Sequence, residues 1–123
     1  MFAVNNKALY IDLSTEEIKI RSIDADTAKN FIGGSGVGWK LASEIIEPNL
    51  NPLDPNNPVV ISVGALVGTL FPGSSKVSAI FKYPILATKD GKHFIGESTS
   101  GGRYFAPMLK AGGYDHLIIT GRA

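Results

Sequence analysis

The N-terminal part of the chain alternates between apolar and polar side chains. Leu9, Ile11 and Leu13 are spaced two residues apart, and Ile18 and Ile20 repeat this spacing after a short polar break. Alternation with a period of two indicates strands that bury one face. The pattern therefore predicts a β-hairpin whose turn lies in the polar break.

Two helices are predicted after this hairpin. Asp24 and Asp26 are typical of a turn or an N-cap, and they precede a short helix over residues 27–32. A longer helix is predicted over residues 36–47, where the polar side chains fall in one narrow stripe and the rest of the surface is covered. Pro48 ends this helix because proline cannot continue it.

The rest of the chain alternates between apolar strands and loops rich in small residues. Strands are predicted over residues 59–63, 77–81, 94–95 and 116–120, and a third helix over residues 103–111. Loops are predicted over residues 49–58, 64–75 and 98–102, with a tight Asp-Gly turn at residues 89–92. Strict strand–helix alternation is missing. The expected fold class is α+β, a mostly antiparallel β-sheet of about seven strands with two or three short helices. Residues 1–123 are expected to form a single domain.

Composition and charge exclude several classes of protein. The 123 residues are 44% hydrophobic and carry a formal net charge of +1, which excludes general disorder and gives no bulk electrostatic case for nucleic acid or an anionic membrane. There are no cysteines, so this chain alone holds no disulfide, thiolate nucleophile or iron–sulfur cluster. The N-terminus has no signal-peptide pattern, and the longest apolar stretch, residues 59–71, is too short to span a bilayer. A cytoplasmic protein is expected.

Three glycine-rich segments are candidates for phosphate binding. The first, residues 33–38, has Trp39 where a dinucleotide-binding fingerprint needs its third glycine, so tight helix–helix packing is the favoured interpretation. The second, residues 68–75, has the glycine spacing of a P-loop without its lysine. Its backbone N–H groups, the Ser74 and Ser75 hydroxyls and Lys76 are nevertheless suited to cradle a phosphate or diphosphate.

The third segment, residues 98–102, is predicted to open a helix. Thr99, Ser100, Gly101 and Gly102 lie there, with Arg103 directly after them. A helix N-terminus with glycines that let a ligand approach the backbone is a ready anion site. Two small loops, each with an adjacent cation, therefore predict a ligand site that binds phosphate.

No catalytic or metal-binding constellation is evident. His93 is expected to be exposed and His116 to be structural, Asp90 is a turn residue, and Glu97 has no obvious partner. Four aromatic residues are interpreted as core rather than as a cofactor platform: Trp39, Tyr104, Phe105 and Tyr114. We therefore predict neither catalytic residues nor metal ligands in this chain.

Several short motifs occur in a specific order and spacing over residues 9–123. They are Asp24-x-Asp26, Phe31-Ile32-Gly33-Gly34-x-Gly36, Asn51-Pro52-Leu53-Asp54-Pro55, Gly64-Ala65-Leu66-Val67-Gly68-Thr69, Lys82-x-Pro84, Ser100-Gly101-Gly102, Leu109-Lys110 and Gly113-Tyr114-Asp115. Together they resemble the N-terminal domain of the aldehyde ferredoxin oxidoreductase family, or the first part of that domain, over nearly the whole chain.

The resemblance implies an oxidoreductase. Enzymes of this family oxidise aldehydes to carboxylic acids and pass the electrons to ferredoxin, using tungsten or molybdenum held by two pterin cofactors. Their N-terminal domain is a base that contacts the cofactor phosphates and a bridging Mg²⁺, while other domains carry the cysteines of an iron–sulfur cluster. The implied role here is to seat a tungstopterin or molybdopterin, with no activity for this chain alone. The residues implied are Ser74, Ser75, Lys76, Thr99, Ser100, Gly101, Gly102 and Arg103.

The sequence departs from the family pattern at two of these positions. Lys76 stands where the family has an arginine, which keeps the charge and loses the planar fork. Ser98 and Thr99 stand where the family has an asparagine near the magnesium site, and hydroxyls are weaker ligands for a hard cation.

Other functions therefore remain as alternatives. One is a cofactor-free assembly homologue that self-associates as a homodimer or larger homo-oligomer, or that binds a larger catalytic chain; another is a phosphate-binding module unrelated to redox chemistry. The expected partners are a second copy of the chain or a cysteine-bearing catalytic chain, with ferredoxin reached only through that chain. Neither nucleic acid nor membrane is expected.

Overall fold

A computed structural model describes residues 4–123, which form one six-stranded sheet and three helices. The elements follow in the order β1 (Lys7–Asp12), β2 (Glu17–Ser22), α1 (Ala25–Phe31), α2 (Ser35–Ile45), β3 (Val59–Val63), β4 (Lys76–Ala87), β5 (His93–Gly101), α3 (Phe105–Ala111) and β6 (His116–Thr120). None of the helices in this part of the chain is long and apolar enough to cross a membrane.

The strands are arranged in the order β2-β1-β6-β3-β4-β5. Only β1 and β6 are parallel, and the four other neighbouring pairs are antiparallel. The predicted fold class, a mostly antiparallel sheet with short helices, is confirmed, with six strands among the described residues where about seven were expected.

Local sequence signals account for the first elements. The side chain of Asp12 accepts hydrogen bonds from the backbone N–H groups of Ser14 and Thr15, which closes the turn of the β1–β2 hairpin. Asp24 is the N-cap of α1, and its Oδ1 accepts from the N–H of Thr27 at 2.7 Å. The predicted hairpin and cap are both confirmed.

Helix α2 covers one face of the sheet and forms the main core with it. The buried residues of this core are Ala8, Val37, Leu41, Ala42, Ile46, Val60, Ile80 and Ile118. Gly38 brings the helix close to the strands, since a Cβ there would lie 2.4 Å from Ser62 Oγ and 2.9 Å from Ile80 Cδ1. The absence of a side chain at Gly38 therefore sets the distance between α2 and the sheet.

The opposite face of the sheet carries an apolar row. The strand registers align Ile20 with Leu9, Leu9 with Leu117, Leu117 with Ile61, and Ile61 with Ala79. In the described part of the chain, α3 and Val67 pack on this face only around Val63 and Val77. At the far edge Ile20 is 58% exposed and Ile18, in the same strand, 65%. We call this surface the apolar sheet face.

Two predicted boundaries were wrong in β4 and β5. Residues 98–101 were expected in a loop and instead belong to β5, because their backbone groups pair with the start of β4. The strand predicted over residues 77–81 is longer, because β4 runs to Ala87. The register shifts between Lys82 and Ala87, which accommodates Pro84, a residue without an N–H donor. The Asp-Gly turn that joins the two strands is confirmed, with Gly91 at φ 75°.

Several side chains are placed differently from the expectation. His93 is half-buried, with its Nδ1 3.1 Å from the carbonyl oxygen of Tyr83, where exposure was expected. The aromatic residues expected in the core are at the surface instead: Trp39 is 37% exposed, Phe105 47% and Tyr104 68%. Tyr114 is half-buried. They lie on or beside helices whose small residues, such as Gly38 and Ala106, face the sheet and leave no room for rings.

His116 is structural, as predicted. It is 2% exposed, and its Nδ1 lies 2.9 Å from the hydroxyl oxygen of Ser62. Burial lowers the pKa of His116 to about 4, against the opposing effect of the neighbouring Asp115 carboxylate. The folded protein therefore holds this side chain neutral.

We predict that the free energy of unfolding falls as the pH drops from about 6.5 to about 4. In this window the unfolded chain binds a proton at His116 before the folded chain does, so the stabilisation is complete above pH 6.5 and is lost towards pH 4. The expected loss is roughly 2–3 kcal/mol, measured by urea unfolding at a series of pH values. His116→Asn should flatten the dependence, and an equal slope in this variant and the wild-type chain contradicts the assignment.

Candidate functional site

The two segments predicted to bind phosphate lie side by side. Lys76 pairs with Gly101, and Ser78 pairs with Thr99, where β4 begins and β5 ends. The segments are 23 or more residues apart in sequence but adjacent in the sheet, because β4 and β5 form a long hairpin. The candidate site is therefore built on strands at one end of the sheet.

Backbone hydrogen bonds join these segments directly beyond the strands. The N–H of Gly102 donates to the carbonyl of Ser75 at 2.8 Å, and the Ser75 hydroxyl donates to the carbonyl of Arg103 at 3.4 Å. The N–H of Lys76 donates to the carbonyl of Ser74 at 3.0 Å. All eight predicted binding residues therefore belong to two touching segments, residues 74–76 and 99–103.

Their side chains do not all share one face. Lys76 and Thr99 project to the face that carries α2, because they alternate with Val77 and Ser100 along their strands. The Ser100 side chain projects to the opposite face and lies apart from Lys76. The structure thus separates one of the predicted side chains from the others.

Charge and exposure favour an anionic ligand at this end of the sheet. Lys76 and Arg103 are both exposed, and Lys76 makes no salt bridge with any residue in the range 4–123. The Arg103 guanidinium lies 5.0 Å from the centre of the Tyr104 ring. Ser74 and Ser75, which directly precede Lys76, are half-buried. Two cations with hydroxyl donors nearby match the chemistry of phosphate oxygens.

The two glycines at the end of β5 differ in the space around them. A Cβ on Gly101 would meet nothing within 4 Å, so a ligand has room to approach the backbone there. A Cβ on Gly102 would lie 2.7 Å from the Cβ of Ala106 and 3.3 Å from that of Val77. Gly101 leaves the site open, while Gly102 lets the chain pack under α3.

The first glycine-rich segment also reaches this end of the sheet. A Cβ on Gly34 would lie 3.1 Å from the Cα of Gly64, the first residue after β3. Helix–helix packing was the predicted role, and only Gly36 has it, with its Cβ position 2.3 Å from the carbonyl oxygen of Phe31 in α1. Gly34 instead packs on the chain just after β3, and Gly38 packs on the sheet. The three glycine-rich segments therefore lie towards the same end of the sheet.

Sequence reasoning missed a polar cluster beside the site. Glu97, which had no expected partner, accepts hydrogen bonds from the Ser35 hydroxyl at 2.5 Å and from Trp39 Nε1 at 2.7 Å. The Ser35 hydroxyl oxygen lies 2.9 Å from that of Ser78. Hydrogen bonds from Ser35, Ser78 and Trp39, in that order of effect, hold the pKa of Glu97 below its ordinary value. We call these four residues the Glu97 cluster.

Predicting residues 98–101 as a strand would have revealed the Glu97 cluster. In a strand, Glu97 and Thr99 share a face, and Ser78 lies opposite Thr99 across the ladder. The predicted loop concealed this relation, because a loop has no regular alternation of faces.

The donor set fits the phosphate portion of a cofactor and lacks ligands for a transition metal. Among residues 4–123, no group of three or more His, Cys, Asp or Glu side chains is placed to hold a metal ion. Lysine, arginine, hydroxyls and open backbone at Gly101 suit phosphate oxygens. The arrangement can bind and orient a phosphate-bearing molecule.

Comparisons with known proteins identify a family. A sequence model described as "Aldehyde ferredoxin oxidoreductase, N-terminal domain" matches residues 8–123. The tungsten-containing aldehyde ferredoxin oxidoreductase of Pyrococcus furiosus is 32% identical over the whole chain, and the aliphatic sulfonate oxidoreductase WOR-like subunit of the same organism is 35% identical over 127 aligned positions. This chain spans 19% of the length of each of these relatives.

A solved structure shares the fold. The active site complex BamBC of benzoyl coenzyme A reductase, determined with 1,5-dienoyl-CoA, matches with a TM-score of 0.87 and 27% sequence identity. The match covers 99% of this chain and 18% of that one.

We predict opposite outcomes for alanine at the two neighbouring glycines. Gly102→Ala should lower the free energy of unfolding by about 1–3 kcal/mol, because the new methyl group overlaps Ala106 in a packed region. Gly101→Ala is the matched control and should change it by less than about 0.5 kcal/mol. Chemical unfolding of both variants measures the difference, and equal effects would show that the packing under α3 is misassigned.

Proposed function

Because the chain belongs to the aldehyde ferredoxin oxidoreductase N-terminal domain family, we propose that it seats the phosphate groups of a tungsten or molybdenum pterin cofactor within a larger oxidoreductase. The observation that carries this proposal is the pairing of β4 with β5, which joins residues 74–76 to residues 99–103. The name of the tungsten-containing relative supports the choice of metal.

Each group at the site has a separate task in this proposal. Lys76 and Arg103 neutralise phosphate charge, and the hydroxyls of Ser74 and Thr99 donate hydrogen bonds to phosphate oxygens. The Ser75 hydroxyl would join them by exchanging its 3.4 Å bond to the Arg103 carbonyl for a phosphate oxygen. Of the backbone at Ser100, Gly101 and Gly102, Gly101 approaches the phosphate most closely, because a Cβ there would meet nothing within 4 Å. The N–H of Gly102 is already donated to the Ser75 carbonyl, so Gly102 holds the two segments together instead. A Mg²⁺ ion at the phosphates would take its ligands mainly from phosphate and water, since the chain offers only hydroxyl and backbone oxygens there.

The oxidation itself belongs to the cofactor and to other parts of the enzyme. The bound metal supplies the conversion of an aldehyde to a carboxylate, with the electrons passing to ferredoxin. This chain binds and orients the cofactor and has no activity alone. The sequence contains no cysteine, so the iron–sulfur cluster that receives the electrons is held by a cysteine-bearing catalytic portion or chain. We place the assembled enzyme in the cytoplasm.

A second candidate function, assembly without cofactor, is favoured by the apolar sheet face. Ile18 and Ile20 are 65% and 58% exposed, and an uncharged row of aligned apolar side chains extends inward from them. Such surfaces mark protein interaction sites. In this alternative the chain uses the face to bind a second copy or a larger catalytic chain and has lost the cofactor.

Native mass spectrometry with metal analysis separates the two functions. The sample is the protein purified from its own host. Tungsten or molybdenum with a pterin-sized adduct supports the cofactor seat, and a co-purifying cysteine-bearing chain supports the proposed assembly. A homo-oligomer without metal would overturn the cofactor seat and leave assembly as the function.

We predict that Lys76→Ala weakens binding of inorganic pyrophosphate, used as a simple probe, by roughly tenfold to a hundredfold, since a hydrogen bond to a charged group contributes about 1.5–3 kcal/mol. Isothermal titration calorimetry measures the affinity. Lys89→Ala is the control, because it removes the same charge from an exposed position in the β4–β5 turn at the other end of the hairpin. Equal affinities for the two variants would exclude Lys76 from the site.

We also predict that the 123-residue chain self-associates through the apolar sheet face when no larger partner is present. Light scattering should give twice the monomer mass, and Ile18→Ser combined with Ile20→Ser should return the monomer. The control combines Leu70→Ser with Ile85→Ser, two apolar residues exposed elsewhere at 102% and 87%. A monomeric wild-type chain at working concentration would contradict the homodimer.

A further inference from the structure

The Glu97 cluster forms a directed chain of hydrogen bonds. A serine hydroxyl has one proton to donate, and Ser35 donates its proton to the Glu97 carboxylate at 2.5 Å. Ser78 therefore donates to Ser35 across the 2.9 Å contact. The indole N–H of Trp39 donates to the second carboxylate oxygen at 2.7 Å. Both oxygens of Glu97 are thus bound by helix α2.

This cluster lies directly beside the candidate phosphate site. Ser78 is the cross-strand neighbour of Thr99, and Glu97 precedes Thr99 by two residues on the same face. Lys76 follows on that face next to Ser78. The polar side chains therefore continue from Trp39 through Glu97 to Thr99 and Lys76 without a change of face.

The negative charge of Glu97 also interacts favourably with the N-terminal end of α2. The N-cap of this helix is Gly34, which has no side chain to cap it, and its first turn contains no acidic residue. A carboxylate from a neighbouring strand compensates the positive end of the helix dipole. Ser35 and Trp39 are one turn apart in α2, so Glu97 holds that first turn over the strands.

The hydrogen bonds between Glu97 and α2 matter because β5 is an edge strand. Its hydrogen-bonded neighbour in the sheet is β4 alone, and it carries Thr99, Ser100 and Gly101 near its end. An edge strand twists and frays more easily than a strand held on both sides. A bond from Glu97 to α2 supplies the second attachment, only two residues from Thr99.

We propose that Glu97 is a positioning residue for phosphate binding, acting through Thr99 and the neighbouring backbone of β5. This inference rests on the proposed function, because it assigns the role of Glu97 at that same site. Glu97 does not touch the phosphate. Its charge is directed towards the donors of α2, and Ser35, Ser78 and Trp39 keep its pKa low, so the carboxylate stays ionised beside an anion site.

The test measures pyrophosphate affinity and Trp39 fluorescence in the same samples. Trp39 is the single tryptophan of the sequence, and it reports on the cluster through its bond to Glu97. Glu97→Gln should weaken pyrophosphate binding about three- to tenfold, the effect of losing about one hydrogen bond in the support. Pyrophosphate should change the Trp39 emission of the wild-type chain, and this change should be absent in Glu97→Gln even at saturation. A purely structural residue would not transmit that signal.

Two further variants complete the design. Glu44→Gln is the control, because it removes a carboxylate from the exposed side of the same helix, where Glu44 pairs with Lys40. It should leave affinity and fluorescence response unchanged. Ser35→Ala keeps the charge of Glu97 and the Trp39 bond, so it provides the test if Glu97→Gln folds poorly, and it should reduce affinity by a smaller factor.

The outcomes separate this inference from the proposed function. A wild-type chain that binds no pyrophosphate overturns the proposed function and this inference with it. Wild-type binding that is lost in Lys76→Ala but unchanged in folded Glu97→Gln and Ser35→Ala overturns the inference alone. Binding without any change in Trp39 emission also overturns it, because the cluster is then not coupled to the site.

Discussion

The insertion of β6 between β1 and β3 is the constraint on which the rest of the sheet depends. It pairs in parallel with β1 and antiparallel with β3, and so joins the N-terminal hairpin to the three later strands. Asp115, at the start of β6, accepts the backbone N–H groups of Asn5 and Asn6 and forms a buried ion pair with Lys110. These contacts hold the segment before β1 against the segment before β6, and removing either charged partner would leave the other without its buried counter-charge.

The register of β4 and β5 has the same importance for the candidate site. It sets Lys76 beside Gly101 and Thr99 beside Ser78, and it places Glu97 under helix α2. A slip of one residue would move every side chain of β5 to the opposite face of the sheet. The pairing of Lys76 with Gly101 and the contact of Glu97 with helix α2 would then be lost together, because the candidate residues and Glu97 share one strand.

Sequence patterns predicted local structure well where the signal was local. The hairpin, the Asp24 cap, the Asp-Gly turn and the burial of His116 all depend on residues close in the chain or on strong apolar alternation. The eight binding residues were chosen from two loops, and the structure brings both segments together. The strand at residues 98–101 was missed because small polar residues have weak strand propensity, and pairing with β4 overrides it.

By itself, the sequence determined the fold class, the family resemblance and the charge and hydroxyl content of the candidate residues, because composition, spacing and charge are properties of the chain itself. Only the tertiary structure decided which of those residues meet. It separated the Ser100 side chain from Lys76, gave Glu97 its partners in α2, and left the apolar sheet face exposed at its β2 edge. These outcomes depend on strand register and helix placement, which arise from contacts between residues far apart in sequence and leave no periodic trace along it.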